Sequence, residues 1–228
     1  MRSRADLYDW ELAHVMGRSR QDLGYYSALA RRTEGPVLEL ACGTGRLTVP
    51  LGAVGVDNDP VMLGSARRRG ARHLVCADMR RFALARRFPV VAIPYNSLQL
   101  LVDDDDLLAC LRCAAWHLRP YGALALEVTD FQAGVVTTTA GPELLGSADG
   151  VTLHGSVVHD LRRRVTTYHR RFDEGGQVRV DHVRLRCLHL GELEALLTAA
   201  GLELDDVSGA PPRFMCTAIA TPGRPRPG

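Results

Sequence analysis

Residues 36–57 read Pro-Val-Leu-Glu-Leu-Ala-Cys-Gly-Thr-Gly-Arg-Leu-Thr-Val-Pro-Leu-Gly-Ala-Val-Gly-Val-Asp. Two short apolar runs, 36–41 and 53–57, flank a glycine turn, Cys42-Gly-Thr-Gly45, and a helix-compatible stretch at 46–51. Strand, glycine turn, helix and strand make a βαβ unit. A parallel crossover needs about a dozen residues, and thirteen lie between Leu40 and Val54. The unit therefore closes only with a first helix of about two turns and almost no loop.

The pattern repeats downstream. Helix 60–69, strand 73–77, a short helix 80–86, strand 89–95, helix 103–118, a Pro120-Tyr-Gly122 turn and strand 123–128 follow in order. Such alternation predicts an α/β, doubly wound parallel sheet with helices on both faces. Upstream, apolar and aromatic residues at helical spacing predict two short helices broken near Gly17. Beyond Asp130 the alternation stops. Segments 151–159, 164–172 and 178–187 have period-two patterning and predict an antiparallel meander. Helix 190–200, with Gly201 as its stop, and strands 202–207 and 214–220 resume the core. The expected division is an N-terminal helical cap (1–35), a core (36–128 and 189–221), an antiparallel β insertion serving as lid (129–188), and a disordered Pro/Gly/Arg tail (222–228).

Composition narrows the function classes. At 228 residues the chain suits one α/β domain burying roughly 70% of its unfolded surface, and 46% hydrophobic residues exclude disorder as a class. It has 28 arginines and no lysine, and only two asparagines (Asn58, Asn96) and two isoleucines (Ile93, Ile219). The amino acids of AT-rich codons are missing together, which reads as a high-GC genome; a lysine base or Schiff base is impossible. A net charge of +2 argues against a nucleic-acid footprint. Arg162-Arg-Arg164 and Arg170-Arg171, the basic clusters of the insertion, read as surface flanks of strands. No signal-like or membrane-spanning run is present, so a cytoplasmic chain with no membrane partner is expected. The six cysteines are expected to be buried thiols, with Cys110-x-x-Cys113 in core packing. Residues 103–106 read as a helix cap and first turn rather than a metal site, and no metal is expected.

A glycine turn after a strand lets a ligand approach the backbone. A dinucleotide site needs G-x-G-x-x-G, but Gly43-Thr-Gly45-Arg-Leu-Thr48 has threonine at the third glycine, which disfavours an NAD-dependent oxidoreductase. Three acids add to the turn: Glu39 in the first strand, Asp57 ending the second and Asp78 ending the third. At the carboxyl ends of a doubly wound sheet they can converge on one ligand. Asp57 can accept two ribose hydroxyls and Asp78 an adenine amine; alternatively each caps the following helix. Asn96 ends the fourth strand, where its amide can accept an N–H or donate to an oxygen, or else merely starts the next connection. Glu127 and Asp130 suit a cationic acceptor or a turn. Among histidines, His154, His159, His169, His182 and His189 lie in or next to the insertion. Strand alternation groups His182, Arg184 and Arg186 on a face that reads as solvated, opposite Val183, Leu185 and Cys187. His117 reads as a satisfied buried or boundary histidine and His189 as serving a helix N-terminus.

VLELACGTGRLTVPL (37–51), VGVDNDPVMLGSAR (54–67), VCADMRRF (75–82) and VVAIPYNSLQLL (90–101) resemble, in order, the motifs of class I S-adenosylmethionine-dependent methyltransferases. The resemblance is to the small-molecule branch that includes glycine/sarcosine-type and amino-sugar N-methyltransferases, and it covers about residues 20–128 and 189–221. Asp22-Leu-Gly-Tyr-Tyr26 fits that family's N-terminal aromatic cap. The resemblance implies a Rossmann-like seven-stranded sheet, S-adenosylmethionine as methyl donor without a metal, and a small-molecule acceptor with an N or O nucleophile. A monomer or homodimer in bacterial specialised metabolism is the expected setting. By the resemblance, Glu39, Ala41, Cys42, Gly43 and Gly45, with Arg46 beside them, hold the methionine moiety. Asp57 holds the ribose, Asn58 and Met62 the adenosine edge, Asp78 and Met79 the adenine. Tyr26 or Tyr95 presents a ring to the sulfonium, and Tyr95 and Asn96 position the acceptor. Ala41 replaces the family's first glycine, and the stretch from Glu39 to Asp57 is several residues shorter than usual. A methyltransferase fold turned to a non-methylating reaction or to regulation is the alternative, and nucleic-acid methylation a third.

Overall fold

The computed structural model describes residues 1–16, 21–130, 138–210 and 213–220. The expected break near Gly17 and the tail at 222–228 lie outside the described residues. Seven strands form the main sheet: β1 (Val37–Leu40), β2 (Val54–Asp57), β3 (His73–Cys76), β4 (Phe88–Ile93), β5 (Leu118–Thr129), β10 (Leu202–Ala210) and β11 (Arg213–Ala220). Their order is β10-β11-β5-β4-β1-β2-β3, with β11 antiparallel to β5 and β10 antiparallel to β11. The remaining pairs are parallel. Every residue of β1 and β4 is buried, as expected of parallel strands covered on both faces. Strand order reverses between β1 and β4, and a crevice opens at the carboxyl ends of strands at such a switch point.

Helices cover this sheet: α2 (Gln21–Arg31), α3 (Thr48–Leu51), α4 (Pro60–Arg68), α5 (Asp104–His117) and α6 (Leu190–Ala200). Leu107, Leu111, Leu193 and Leu197 from α5 and α6 pack with Leu38, Val91 and Leu124 in the main core. Asp104, Asp105 and Asp106 occupy the first turn of α5, where the helix dipole favours them. His117 is buried as expected: its Nε2 accepts from the Leu84 N–H (3.1 Å) and its Nδ1 bonds the Cys113 carbonyl (2.8 Å). His189 caps α6, accepting from the Glu192 N–H at 3.3 Å.

A second, antiparallel sheet runs β6 (Glu143–Ala148), β7 (Val151–Asp160), β8 (Val165–Glu174) and β9 (Gln177–Arg186). Helix α1 (Arg4–His14), begun by a Ser3–Asp6 capping box, lies against it. Leu7 and Trp10 of α1 pack with Val151, Leu153 and Phe172, and the Trp10 indole donates to the Ala148 carbonyl at 3.1 Å.

Several expectations are corrected. The first crossover helix is one turn, not two. No helix forms at 80–86, where Asp78 and Arg81 make an isolated bridge. The Pro120-Tyr-Gly122 turn is an irregularity inside β5, with Tyr121 at φ +61°. The meander has four strands rather than three, because β6 precedes it. Cys42, Cys110 and Cys216 are buried, whereas Cys76 is exposed and Cys113 and Cys187 are half-buried. Arg186 is not on a solvated face: its side chain is 1% exposed, bound to Asp104 (2.9 Å) and Glu192 (2.5 Å). His182 and Arg184 are exposed as expected.

Candidate active site

The turn after β1 is built from left-handed backbone: Ala41 at φ +53°, Gly43 at +54° and Gly45 at +79°. The two glycines serve different ends. A Cβ on Gly45 would come within 3.0 Å of the Ala66 Cβ, so this glycine lets α4 pack against the turn. A Cβ on Gly43 would meet only a Tyr8 ring carbon at 3.9 Å, so here the bare backbone faces open space. Asp57, at the end of β2, accepts from the Gly43 N–H (2.7 Å) and from the Asp59 N–H (2.9 Å). Burial pushes its carboxyl up, against the pull of the Gly43 hydrogen bond and of Arg4.

A cavity of about 1030 Å³ opens from this turn and extends beneath the second sheet. Of the residues singled out from sequence, it gathers Ala41, Gly43, Asp57, Asn58, Met62, Asp78, Met79, Tyr95 and Asn96. Asp78 is already bound: Arg80 forks onto it at 2.6 and 3.0 Å and reaches Asp106 at 2.6 Å. That pairing holds the Asp78 carboxyl below the usual carboxylate range. A carboxylate has about four lone-pair positions; the Arg80 side chain and its backbone N–H supply three donors, leaving room for one more.

Tyr95 and Asn96, following β4, have φ +56° and +57°. Asparagine tolerates this conformation, but a tyrosine there is an outlier, and such residues cost of order 1–3 kcal/mol each and cluster at functional sites. The Arg46 guanidinium stands 6.0 Å from the Tyr95 ring centroid and is held by Asp22 at 2.6 and 2.7 Å. Asn96 accepts from the Thr129 hydroxyl at 3.0 Å.

Behind Tyr95 lies a small adjoining cavity of about 20 Å³. Glu39, Cys42 and Arg46 line it, together with Ala41 and Tyr95. Glu39 is fully enclosed, receives the Thr48 hydroxyl, and is pushed up to about 8 by burial. Cys42 packs against Gly55, where a Cβ would clash with its sulfur at 2.7 Å.

Two of the expected site residues lie outside both cavities. Tyr26 is 1% exposed, packs with Val37, Leu47 and Ala53, and lines neither cavity. Its face is used by the core. Gly45 lines neither cavity, for the packing reason given above. Glu127 is buried, and neither it nor Asp130 lines the large cavity.

The opposite wall comes from residues that the sequence had not placed in a site. Tyr8 on α1 reaches both cavities, and burial pushes its hydroxyl up. Strand register puts Val157, Tyr168 and Val183 in one row of the second sheet, Gly155, Arg170 and Asp181 in the next, and Leu153, Phe172 and Arg179 in a third. Arg170, read from sequence as surface, is instead clasped between Glu11 (2.7 Å) and Asp181 (2.8 Å). His169 and His182 are exposed residues at the cavity margin, 6.4 Å apart by ring centroid. Among the described residues, no group of three or more His, Cys, Asp or Glu could hold a metal ion. No helix among them is long and apolar enough to cross a membrane.

A family model described as a methyltransferase domain matches residues 37–122. The chain is 30% identical, over 225 residues, to the dTDP-3-amino-3,4,6-trideoxy-alpha-D-glucopyranose N,N-dimethyltransferase of Streptomyces venezuelae, covering 91% of this chain and 93% of that one. It belongs to the class I S-adenosylmethionine-dependent methyltransferases. This methyltransferase acts on a small-molecule acceptor. It is also 30% identical to the dTDP-3-amino-3,6-dideoxy-alpha-D-glucopyranose N,N-dimethyltransferase of Streptomyces fradiae, over 91% of this chain and 86% of that one. Among solved structures, DesVI of Streptomyces venezuelae superposes with a TM-score of 0.78 at 27% identity, covering 97% of this chain and all of that one. The CcbJ methyltransferase of Streptomyces caelestis gives a TM-score of 0.78 at 25% identity over 89% of each chain. The bare backbone at Gly43, the acid at Asp57 and the thioethers of Met62 and Met79 in one cavity fit the methyl donor of this family.

Proposed function

We propose that this methyltransferase N-methylates the amino group of a sugar carried on a nucleoside diphosphate. The observation that carries this reading is that two arginines of the cavity lining, Arg179 and Arg213, have no ion pair among the described residues. The other arginines of the lining, Arg4, Arg80 and Arg170, are neutralised by Asp59, by Asp78 and Asp106, and by Glu11 and Asp181. A guanidinium without a carboxylate partner suits a phosphate of a diphosphate, which it can bind bidentately. The activities of the two relatives described above, both dimethylations of dTDP-amino sugars, support the same class.

S-adenosylmethionine, when bound, supplies an activated methyl group on a cationic sulfur. The chain's own part is to hold and align. Asp57 accepts from the ribose hydroxyls, Asn58, Met62 and Met79 flank the adenosine, and the remaining acceptor position of Asp78 takes the adenine amine. Ala41 and Gly43 let the methionine end lie against backbone, with Glu39, Cys42 and Arg46 behind it. The Tyr95 ring contributes about 1 kcal/mol of cation–π attraction to the sulfonium. A neutral acceptor amine needs no base from the chain, and the segment 129–188, closing over the core (36–128 and 189–221) with the 1–35 cap, excludes water. The same reading takes the enzyme as cytoplasmic, monomeric or homodimeric, in bacterial specialised metabolism, with neither nucleic acid nor membrane as partner.

Labelled methyl transfer to dTDP-3-amino-3,6-dideoxyglucose tests this. Removing the thymidine diphosphate is expected to lower kcat/KM at least about tenfold, the cost of losing charged hydrogen bonds. Arg179→Met and Arg213→Met should raise the acceptor KM. Equal turnover of the free and nucleotide-linked sugars would overturn the reading. In calorimetry, Asp57→Ala should weaken S-adenosylmethionine binding at least about tenfold.

A further inference from the structure

Gln99 lies in the 3-10 turn Ser97–Leu100, just after Tyr95 and Asn96, and is fully buried. Its amide is used on the two strands that connect the insertion to the core. Nε2 donates to the Thr129 carbonyl and to the Arg186 carbonyl, each at 2.9 Å, and Oε1 accepts from the Thr129 N–H at 2.8 Å. Thr129 ends β5 and Arg186 ends β9, so one side chain ties the neck of the insertion.

Thr129 thus has both backbone groups held, and its hydroxyl donates to Asn96 Oδ1 at 3.0 Å. An amide whose oxygen already accepts from a hydroxyl presents its NH2 hydrogens as the free end. Asn96 and Thr129 both line the large cavity, and the Asn96 Nδ2 has no partner among the described residues. The two sequence-level options for Asn96, accepting an N–H or donating to an oxygen, are therefore not equivalent: the geometry favours donation.

We infer that Gln99 is a positioning residue and Asn96 a specificity-determining one: Gln99, through Thr129, orients the Asn96 amide to donate a hydrogen bond to an acceptor oxygen beside the reacting amine. A hydroxyl on the carbon next to the amine-bearing carbon is such an oxygen. The inference rests on the amino-sugar reading above, and its test has an arm that needs no acceptor.

The chain has only two asparagines, so its NMR spectrum holds two asparagine side-chain NH2 pairs. Thr129→Val removes the hydroxyl at nearly constant shape. It should shift the Asn96 pair and leave the Asn58 pair in place, while Thr129→Ser keeps the wild-type position. Gln99→Glu, which cannot donate to the two carbonyls, should shift the same pair. An unmoved Asn96 pair in Thr129→Val overturns the relay. In the second arm, dTDP-3-amino-3,6-dideoxyglucose is compared with its analogues lacking the hydroxyl at C2 or at C4. One analogue should lose at least about tenfold in kcat/KM with the wild type, as expected when a buried donor is left unpaired. In Asn96→Gly, which keeps the left-handed backbone unstrained, and in Thr129→Val, the three sugars should converge, with S-adenosylmethionine affinity unchanged in Thr129→Val. Equal wild-type turnover of all three overturns the specificity role. If no sugar is methylated while the Asn96 resonances respond as stated, the acceptor reading fails and the relay stands.

Discussion

The two sheets place charge differently. In the seven-stranded sheet, β1 and β4 are buried along their whole length, and the residues available to a ligand cluster where strands end: Asp57, Asp78, Tyr95 and Asn96. In the four-stranded sheet, charge runs along the strands and parity decides its use. Tyr168, Arg170 and Phe172 face inward, whereas His169 and Arg171, one residue out of phase, are exposed. A residue reaches the site in the core by its distance from a strand end; in the insertion one parity forms the wall, and His169 and His182 of the other reach only the margin.

Three substitutions probe this contrast. Arg186→Met should have the largest effect, since it removes a buried cation and leaves Glu192 without it; a loss of about 3 kcal/mol in urea unfolding is expected. A loss under about 1 kcal/mol would break the comparison, because the insertion would then not be anchored through charge. Glu39→Gln comes next. The folded-state carboxyl, raised to about 8, keeps its proton where the unfolded chain has released it. Wild-type stability is therefore full below the ordinary carboxylate range and falls as pH rises towards 8. The variant lacks that fall and should gain about 2 kcal/mol on the wild type between pH 5 and pH 6.5; parallel pH profiles would show that the Glu39 carboxyl is not raised in the folded protein. Smallest is Ala41→Gly, which relieves an alanine at φ +53° and should stabilise by about 1 kcal/mol in thermal unfolding.

The core was legible because doubly buried strands are apolar runs and the turn between them needs glycine. The acids at strand ends followed from that frame. What escaped were contacts made across the chain. The helix expected at 80–86 gives way to a segment in which Arg80 reaches Asp78 and Asp106 and Leu84 donates to His117. Strand alternation put Arg186 on a polar face, but could not show that Asp104 on α5 and Glu192 on α6 meet it there. Arg170 was misread for the same reason, its partner Glu11 being 159 residues away. Tyr26 and Tyr8 both sit on N-terminal helices; spacing marks such residues as inward-facing without saying whether core or cavity lies inside. The one available signal for Tyr8 was the Ser3–Asp6 capping box, which starts α1 and so sets its phase.

The single-turn crossover has a consequence for how this chain can change in length. After α3, Gly52 at φ +58° turns the backbone back, and Val54 pairs at once with Leu38. Adding residues there would cost only loop entropy, about 0.6 kcal/mol per doubling. Removing even one would draw β2 out of register by a residue, turning Val56 out of the core and Asp57 away from the Gly43 N–H. The segment is open to insertion and closed to deletion: a lineage carrying it has reached the shortest form in which this site can still be made.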